Sequence, residues 1–326
     1  MAKIIAELCQ NHNGNLDVIK NMIKAAAEAG ADYIKIQSML SDDLSYRERF
    51  EKGVINKNGE IIANKRPYKD EYERLKSLDL DNNAHYMFIE ECVNHNVIPL
   101  TTVFTRTRIP FLASLPWPEK TIKISSFDCR SLPLLKDLID AGFEKLFIST
   151  GTLFNDEIEK TSKFLIAQGV EFTFLHCISV YPTPLHEGHL NRINYLRKFS
   201  DNVGFSDHSQ YEKDGLKLST ASLTYNIDLI ERHFTILPKN QTKDGIVSLN
   251  KEQLLELVLL SKKNLKDVDL FKNNIVTPDE YYQIAGLEKR ELSSVEMLNR
   301  DYYQGRFVNK MPDGSYIYNW EDKDVL

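Results

Sequence analysis

The sequence predicts an α/β fold, a (β/α)8 TIM barrel, and three observations carry that expectation. Eight short runs rich in β-branched and aromatic residues recur along the 326-residue chain. The runs are continuously apolar rather than alternating, which suits parallel strands buried on both faces. Helical patterns separate them, and eight strand-then-helix units are the arithmetic of such a barrel. A doubly wound open sheet is the runner-up architecture.

The eight predicted strands are residues 4–8, 33–37, 97–103, 121–125, 145–150, 171–177, 202–206 and 229–235. After the first, Leu16, Ile19, Ile23, Ala26 and Ala27 space one helical face that stops at Gly30. Leu132, Leu135, Leu138 and Ile139 do the same before Gly142. Asn155 is the expected cap of a helix with Asp156 and Glu157 in its first turn, ending near Gly169. Residues 191–199, 215–224 and 254–265 supply further helices. Two regions break the rhythm. Residues 38–81 form a long, polar, tyrosine-rich insertion after the second strand. Insertions of that length are usually functional or hold small elements of their own. After about Phe271 the periodicity fades into a polar, aromatic tail, so the expected division is a barrel over 1–270 and a C-terminal extension over 271–326.

Composition narrows the function classes. A chain that is 42% hydrophobic and 27% charged is ordinary for a globular protein with a large core. The formal charge of −6 and the lack of a long basic run suggest no nucleic-acid surface, while leaving room for a local basic pocket. Cys9, Cys92, Cys129 and Cys177 form no C-x-x-C pair, and read as reduced thiols of a cytoplasmic protein. Glu7 interrupts the opening MAKIIAEL before a signal-peptide core can form, and no apolar run is long enough to span a membrane.

In such barrels chemistry lies at the C-terminal ends of the strands. Those ends offer Glu7, Asn11 and His12; then Lys35 and Gln37, two apart and so on one side of a strand. Next come Thr101, Thr102 and Thr105; Lys123, Ser125, Ser126 and Asp128; Ser149, Thr150 and Gly151. The last three strands end in His176, Ser179 and Tyr181; Ser206, Asp207 and His208; Glu231, His233 and Thr235.

Three constellations emerge. Lys35 and Lys123 are expected to face inward from non-adjacent strands. Buried ammonium groups are costly unless paired, so they imply either a bound anion or structural pairing with Glu7 or Asp128. Hydroxyls of Thr102, Ser126, Ser149 and Ser206, with backbone N–H groups near Gly151, would complete a phosphate cradle. His208 and His233 fall on neighbouring strands. They are either ligands of a borderline divalent cation or ordinary hydrogen-bonded histidines. Tyr181-Pro182-Thr183-Pro184 either lines a pocket or is a loop stiffened by prolines. His85, His95, His186 and His189 are expected at the surface or in loops.

Six segments taken together resemble the sialic acid synthase family. They are IIAELCQNHNG at 4–14, GADYIKIQS at 30–38, STG at 149–151, HCISVYPTP at 176–184, GFSDHS at 204–209 and ERHFT at 231–235. The resemblance implies a barrel enzyme, a phosphoenolpyruvate-dependent transferase that forms a C–C bond to an N-acetylmannosamine-type sugar. Phosphate and a nine-carbon nonulosonic acid are the products. It implies that His208 and His233 bind a divalent metal, Mn2+ or Mg2+, and that Lys35, Lys123, Thr102, Ser126, Ser149, Ser179 and Ser206 bind phosphoenolpyruvate. Glu7, Gln37, Tyr181, Asp128 and Asp244 fall on the sugar side. Glu7 and Asp128 are also the candidates for activating water. Small-molecule substrates and a homodimer are the implied partners. Competing readings are a Schiff-base aldolase using Lys35 or Lys123, and an altered barrel that binds a sugar phosphate or a protein.

The chain departs from the family pattern at Asp128, where Glu is usual, at Ser179, often Asn, and at Cys9-Gln10, where Gly and an apolar residue are common. These positions leave the acceptor open among sialic, legionaminic and pseudaminic types. Family members generally continue into an antifreeze-like domain that lends an arginine to the partner's site. Here residues 293–320 resemble at best the start of that domain, and either Arg300 or Arg306 of this tail closes the pocket or another protein does.

Overall fold

Eight parallel strands close on themselves in the computed structural model, which describes residues 1–325. They are β1 (Lys3–Glu7), β2 (Tyr33–Ser38), β3 (Ile98–Val103), β4 (Thr121–Ile124), β5 (Lys145–Ser149), β6 (Glu171–Cys177), β7 (Asn202–Asp207) and β8 (Leu229–His233). Each strand neighbours its successor and β8 pairs with β1, so no edge is left open. All eight strands lie within a residue or two of their expected positions, and the open sheet is excluded.

The register sets which residues share a level. Glu7 lies beside Lys35 and His233, Gln37 beside Thr102, Thr102 beside Lys123, and Ser206 beside Glu231. The inward-facing side chains alternate along each strand with those that meet the helices. Inside the barrel, Ile5, Tyr33, Leu100, Phe147, Leu175 and Leu229 pack into a closed apolar plug. Burying each such side chain is worth about 1.5–3 kcal/mol. Outside, Ile4, Ile34, Ile122, Leu146, Phe174, Phe205 and Ile230 belong to the larger cluster shared with the helices.

The helices follow the expected faces. Helix Leu16–Glu28 buries Ile19, Met22, Ile23 and Ala26, and Asn15 caps it by accepting from the Asp17 and Val18 amides. Helix Asn155–Gln168 starts one residue before expectation: Asn155 is already helical, and Glu157 reaches back to accept from the Phe154 amide. Gly169 ends it in the left-handed region at φ 67°. His85 corrects the surface expectation. It is buried in helix Asn82–Asn94, with Nε2 against Ser38 Oγ at 2.7 Å.

The insertion is built of small elements: helices Arg49–Lys52 and Tyr68–Lys76 around a hairpin of Val54–Ile55 with Ile61–Ala63. The tail is more regular than its pattern suggested. It contains helices Leu265–Ile275, Pro278–Ala285 and Ser294–Tyr303, then a hairpin of Asn309–Lys310 with Tyr316–Ile317. Capping boxes at Thr277/Glu280 and Ser293/Glu296 start two of these helices, a signal readable in the sequence. The expected division at residue 270 falls inside helix Leu265–Ile275, which packs on helix Lys217–Leu223 of the barrel layer. The tail is stitched to the insertion by backbone bonds from Ser45 to Arg306 and from Val308 to Asp43. Among the described residues, no helix is long and apolar enough to cross a membrane.

Candidate active site

Above the apolar plug the barrel opens into a cavity of about 440 Å3 at the C-terminal ends of the strands. Its floor is a ring of polar residues, each two positions beyond an apolar plug residue on the same strand. Lys35 follows Tyr33, Thr102 follows Leu100, Ser149 follows Phe147 and Glu231 follows Leu229.

Both predicted lysines face inward. Lys35 pairs with Glu7, donates to Thr102 Oγ1 at 2.8 Å and lies 3.7 Å from Glu231 Oε2. Lys123 donates to Ser149 Oγ at 2.5 Å and lies 3.7 Å from Glu231 Oε1. Glu231 therefore sits between two ammonium groups, and Ser206 Oγ also donates to it at 2.9 Å. Burial alone would raise the Glu231 carboxyl, but Lys123 and Lys35 hold it down at about 2. Burial pulls Lys35 down to about 7 against the opposing pull of Glu231. The expected partner Glu7 is confirmed for Lys35. Asp128 is not a lysine partner: it accepts from Ser125 Oγ at 2.7 Å and Asn319 Nδ2 at 2.9 Å. Burial raises its carboxyl to about 6. Glu231, placed at a strand end but given no role by sequence reasoning, is the residue that unites the lysines. Its alternation with His233 on β8 was the available signal.

The hydroxyls do not all face the cavity. Thr102, Ser126, Ser149 and Ser206 line it. Ser179 is buried but does not line it. It lies behind Gly151, where a Cβ would come within 2.5 Å of Ser179 Oγ and 2.8 Å of Cys177 Sγ. Only glycine allows that approach. The Gly151 amide donates to Ser126 Oγ at 3.0 Å, so it already has a partner.

His208 and His233 meet across the cavity wall, ring centroids 5.3 Å apart at 71°. Arg232 and Asp207 point the other way and form a fully buried ion pair at 2.6 Å, which ties β7 to β8 just below the two imidazoles. His208 Nδ1 donates to the Ile178 carbonyl at 3.1 Å, which leaves Nε2 as the lone-pair nitrogen. Burial, then the neighbouring His233 ring, lowers His208 to about 3, and burial lowers His233 as well. Both shifts favour the neutral imidazole, the form that ligates metals. His233 Nδ1 is buried with no hydrogen-bond partner and lies 4.0 Å from Asp244 Oδ2. Ligand atoms of Cys9, His233 and Asp244 all lie within 4.8 Å of one another. This donor set fits a divalent cation.

Gln37, Tyr181 and Asp244 line the same cavity, and the Tyr181 ring centroid lies 4.2 Å from that of His208. The insertion and tail complete the walls with Arg66, Arg74, Asn299, Tyr303 and Arg306. Arg306 pairs with Glu71 of the insertion, whereas Arg300 is spent on Glu157 and the Thr152 carbonyl and does not line the cavity. Asn299 donates to the Ser179 carbonyl at 2.7 Å, and Asn319 holds both Asp128 and the Phe104 carbonyl. Six lysines and arginines line the cavity against four carboxylates, a balance that favours an anionic ligand.

The sequence pattern of the NeuB family matches residues 22–268, about three quarters of the chain. The chain is 31% identical to the N,N'-diacetyllegionaminic acid synthase of Campylobacter jejuni, covering 94% of this chain and 96% of that protein. It is 30% identical to a pseudaminic acid synthase of the same species, covering 91% and 84%. The crystal structure of an N-acetylneuraminic acid synthetase from Leptospira borgpetersenii superposes with a TM-score of 0.67 at 24% identity, covering 92% of this chain and 90% of that one. That superposition bears out the barrel fold, and the family match and the relatives together show that this chain belongs to the NeuB family.

Proposed function

We propose that this chain condenses phosphoenolpyruvate with the open-chain form of an N-acetylated amino aldose, forming a nonulosonic acid and releasing phosphate. The observation that carries the reading is the buried pair Lys35 and Lys123, bridged by Glu231 inside a ring of hydroxyls and flanked by two imidazoles. The names of the relatives, synthases of legionaminic and pseudaminic acids, support the substrate class.

Each residue type suits a task in that reaction. Lys35 and Lys123 would hold the phosphate and carboxylate of phosphoenolpyruvate, with Thr102, Ser126, Ser149 and Ser206 satisfying the remaining oxygens; this is chiefly positioning. Lys35 and Lys123 are already desolvated, so an arriving anion meets preorganised charge. His208 and His233 would hold a divalent cation, Mn2+ or Mg2+ being the family expectation. When bound, such an ion supplies Lewis-acid polarisation of the sugar aldehyde. Carbon 3 of phosphoenolpyruvate would add to the aldehyde carbon as its C=O π bond breaks; the oxygen takes up a proton to become a hydroxyl, and positive charge grows at carbon 2. Glu7 and Glu231, both beside Lys35, would stabilise that charge. Water adds at carbon 2 and gives up its proton, and the tetrahedral species expels phosphate. Asp128, with its carboxyl raised to about 6, is suited to accept that proton near neutral pH. Gln37, Tyr181 and Asp244 would contact the sugar from the rim.

The test is a phosphate-release assay with phosphoenolpyruvate, a divalent cation and a panel of 2-acetamido aldoses. Release should require all three components. No release with any sugar of the sialic, legionaminic or pseudaminic series would end the proposal. The lowered pKa of Lys35 also suits a Schiff-base amine. Glu7, Glu231 and Thr102 clamp that amine, however, and borohydride with pyruvate is expected to trap no adduct. A borohydride-stable adduct would favour the aldolase instead.

A further inference from the structure

Cys9 sits where the chain should avoid a side chain. It adopts φ 47°, in the left-handed region that a non-glycine residue enters at a cost of roughly 1 kcal/mol or more. A residue kept there under strain invites a functional explanation. Cys9 is 5% exposed and lines the cavity, and its thiol is aimed at the rim of β8. Cys9 Sγ donates to Asp244 Oδ2 at 2.9 Å and accepts from Gln37 Nε2 at 3.1 Å. Its amide is fixed in turn by Glu7 Oε1, which accepts from Cys9 N at 2.5 Å. The second observation is independent of the cysteine. His233 is 7% exposed, and its Nδ1 has no hydrogen-bond partner while facing the same spot. A buried polar nitrogen without a partner is costly, and a bound cation is one way to satisfy it.

We infer that Cys9 is a thiolate ligand of the metal centre, which takes Cys9, His233 and Asp244 as one cluster of donors with the His208 ring beside His233. The inference rests on the metal reading above and changes what that metal is. Oxygen ligands suit manganese or magnesium, whereas a thiolate beside imidazole and carboxylate favours softer ions such as zinc, iron(II) or cobalt(II). Binding would replace the thiol proton now shared with Asp244, and that proton would go to solvent. Gln37 Nε2 would then remain as a hydrogen-bond donor to the sulfur, the kind of contact that orients a ligand.

Cobalt(II) reports both questions at once. Titrated into the 326-residue chain, it should give visible ligand-field absorption together with a near-ultraviolet thiolate-to-cobalt charge-transfer band. C9S should lose the charge-transfer band and keep the ligand-field bands, because the imidazoles remain. C9G, which removes the backbone strain, should do the same and guards against a folding failure of the serine variant. Excess Mg2+ should not displace cobalt from the wild-type protein, whereas Zn2+ should. Ligand-field bands without a charge-transfer band in the wild type would overturn the thiolate while leaving the two-histidine site standing. No cobalt absorption at all would overturn the metal reading itself.

Discussion

Two levels of the same barrel differ in almost every physical respect, although one residue separates them along each strand. The lower level is Ile5, Tyr33, Leu100, Phe147, Leu175 and Leu229, closed and apolar. The upper level is Glu7, Lys35, Thr102, Ser149, Cys177 and Glu231, polar and charged around a cavity. The lower plug blocks water from below and holds the strands at fixed spacing. That rigidity is what lets the upper level keep ammonium and carboxylate groups desolvated without a collapse of the site. The lesson is a division of labour: stability is stored in one layer so that unfavourable chemistry can be held in the next.

Substitutions can break or sharpen that division. The largest effect is expected from H233A, which should abolish cation-dependent phosphate release while the melting temperature moves by only a few degrees. A large fall in melting temperature would make His233 a structural residue rather than a site residue. F147A should do the opposite, costing about 3–5 kcal/mol of stability in denaturant unfolding while the surviving folded fraction keeps its affinity for phosphoenolpyruvate. A raised KM in that variant would show that the two layers are coupled. Glu231 links the layers through pH. Its folded carboxyl sits at about 2, below the ordinary 4.5, so the stability it adds is full above about 4.5 and is lost as pH falls towards 2. E231Q should erase that acid limb and cost about 3 kcal/mol at neutral pH, because it leaves the buried Lys123 ammonium without a carboxylate partner while Lys35 keeps Glu7.

K123M should raise the phosphoenolpyruvate KM by roughly a hundredfold, the loss of one charge-assisted contact. An unchanged KM would move the phosphate site elsewhere. The smallest effect belongs to the tail. N319A removes a donor that pulls the Asp128 carboxyl down, so the acid limb of the pH–rate profile should move up by roughly one pH unit or less. An unmoved limb would remove Asp128 from proton transfer.

Much of the site was legible because strand geometry is simple. Lys35 and Gln37 fall on one side of β2, and Glu231 and His233 on one side of β8, by the two-residue period alone. Inward direction followed for Lys35 and Lys123, since continuous apolar runs leave a polar residue only the barrel mouth. Ser179 was not legible in that way: it lies beyond the end of β6, where the period no longer applies, and turns behind Gly151. Cys9 was visible only as a departure from a motif; its approach to Asp244, 235 residues away, depends on the closure of β1 against β8.

By itself, the order of apolar runs and glycine stops determined eight strands, their helices and a polar rim, because these follow from local periodicity and burial. Which polar residues meet was decided only by closure, shear and the return of the chain's last helices. Glu231 became the bridge between Lys35 and Lys123, and Asn319 became the partner of Asp128, through contacts between segments far apart in the chain. Local pattern carries no record of such distances, since the free energy that brings the segments together comes from the packed core and not from the residues that meet.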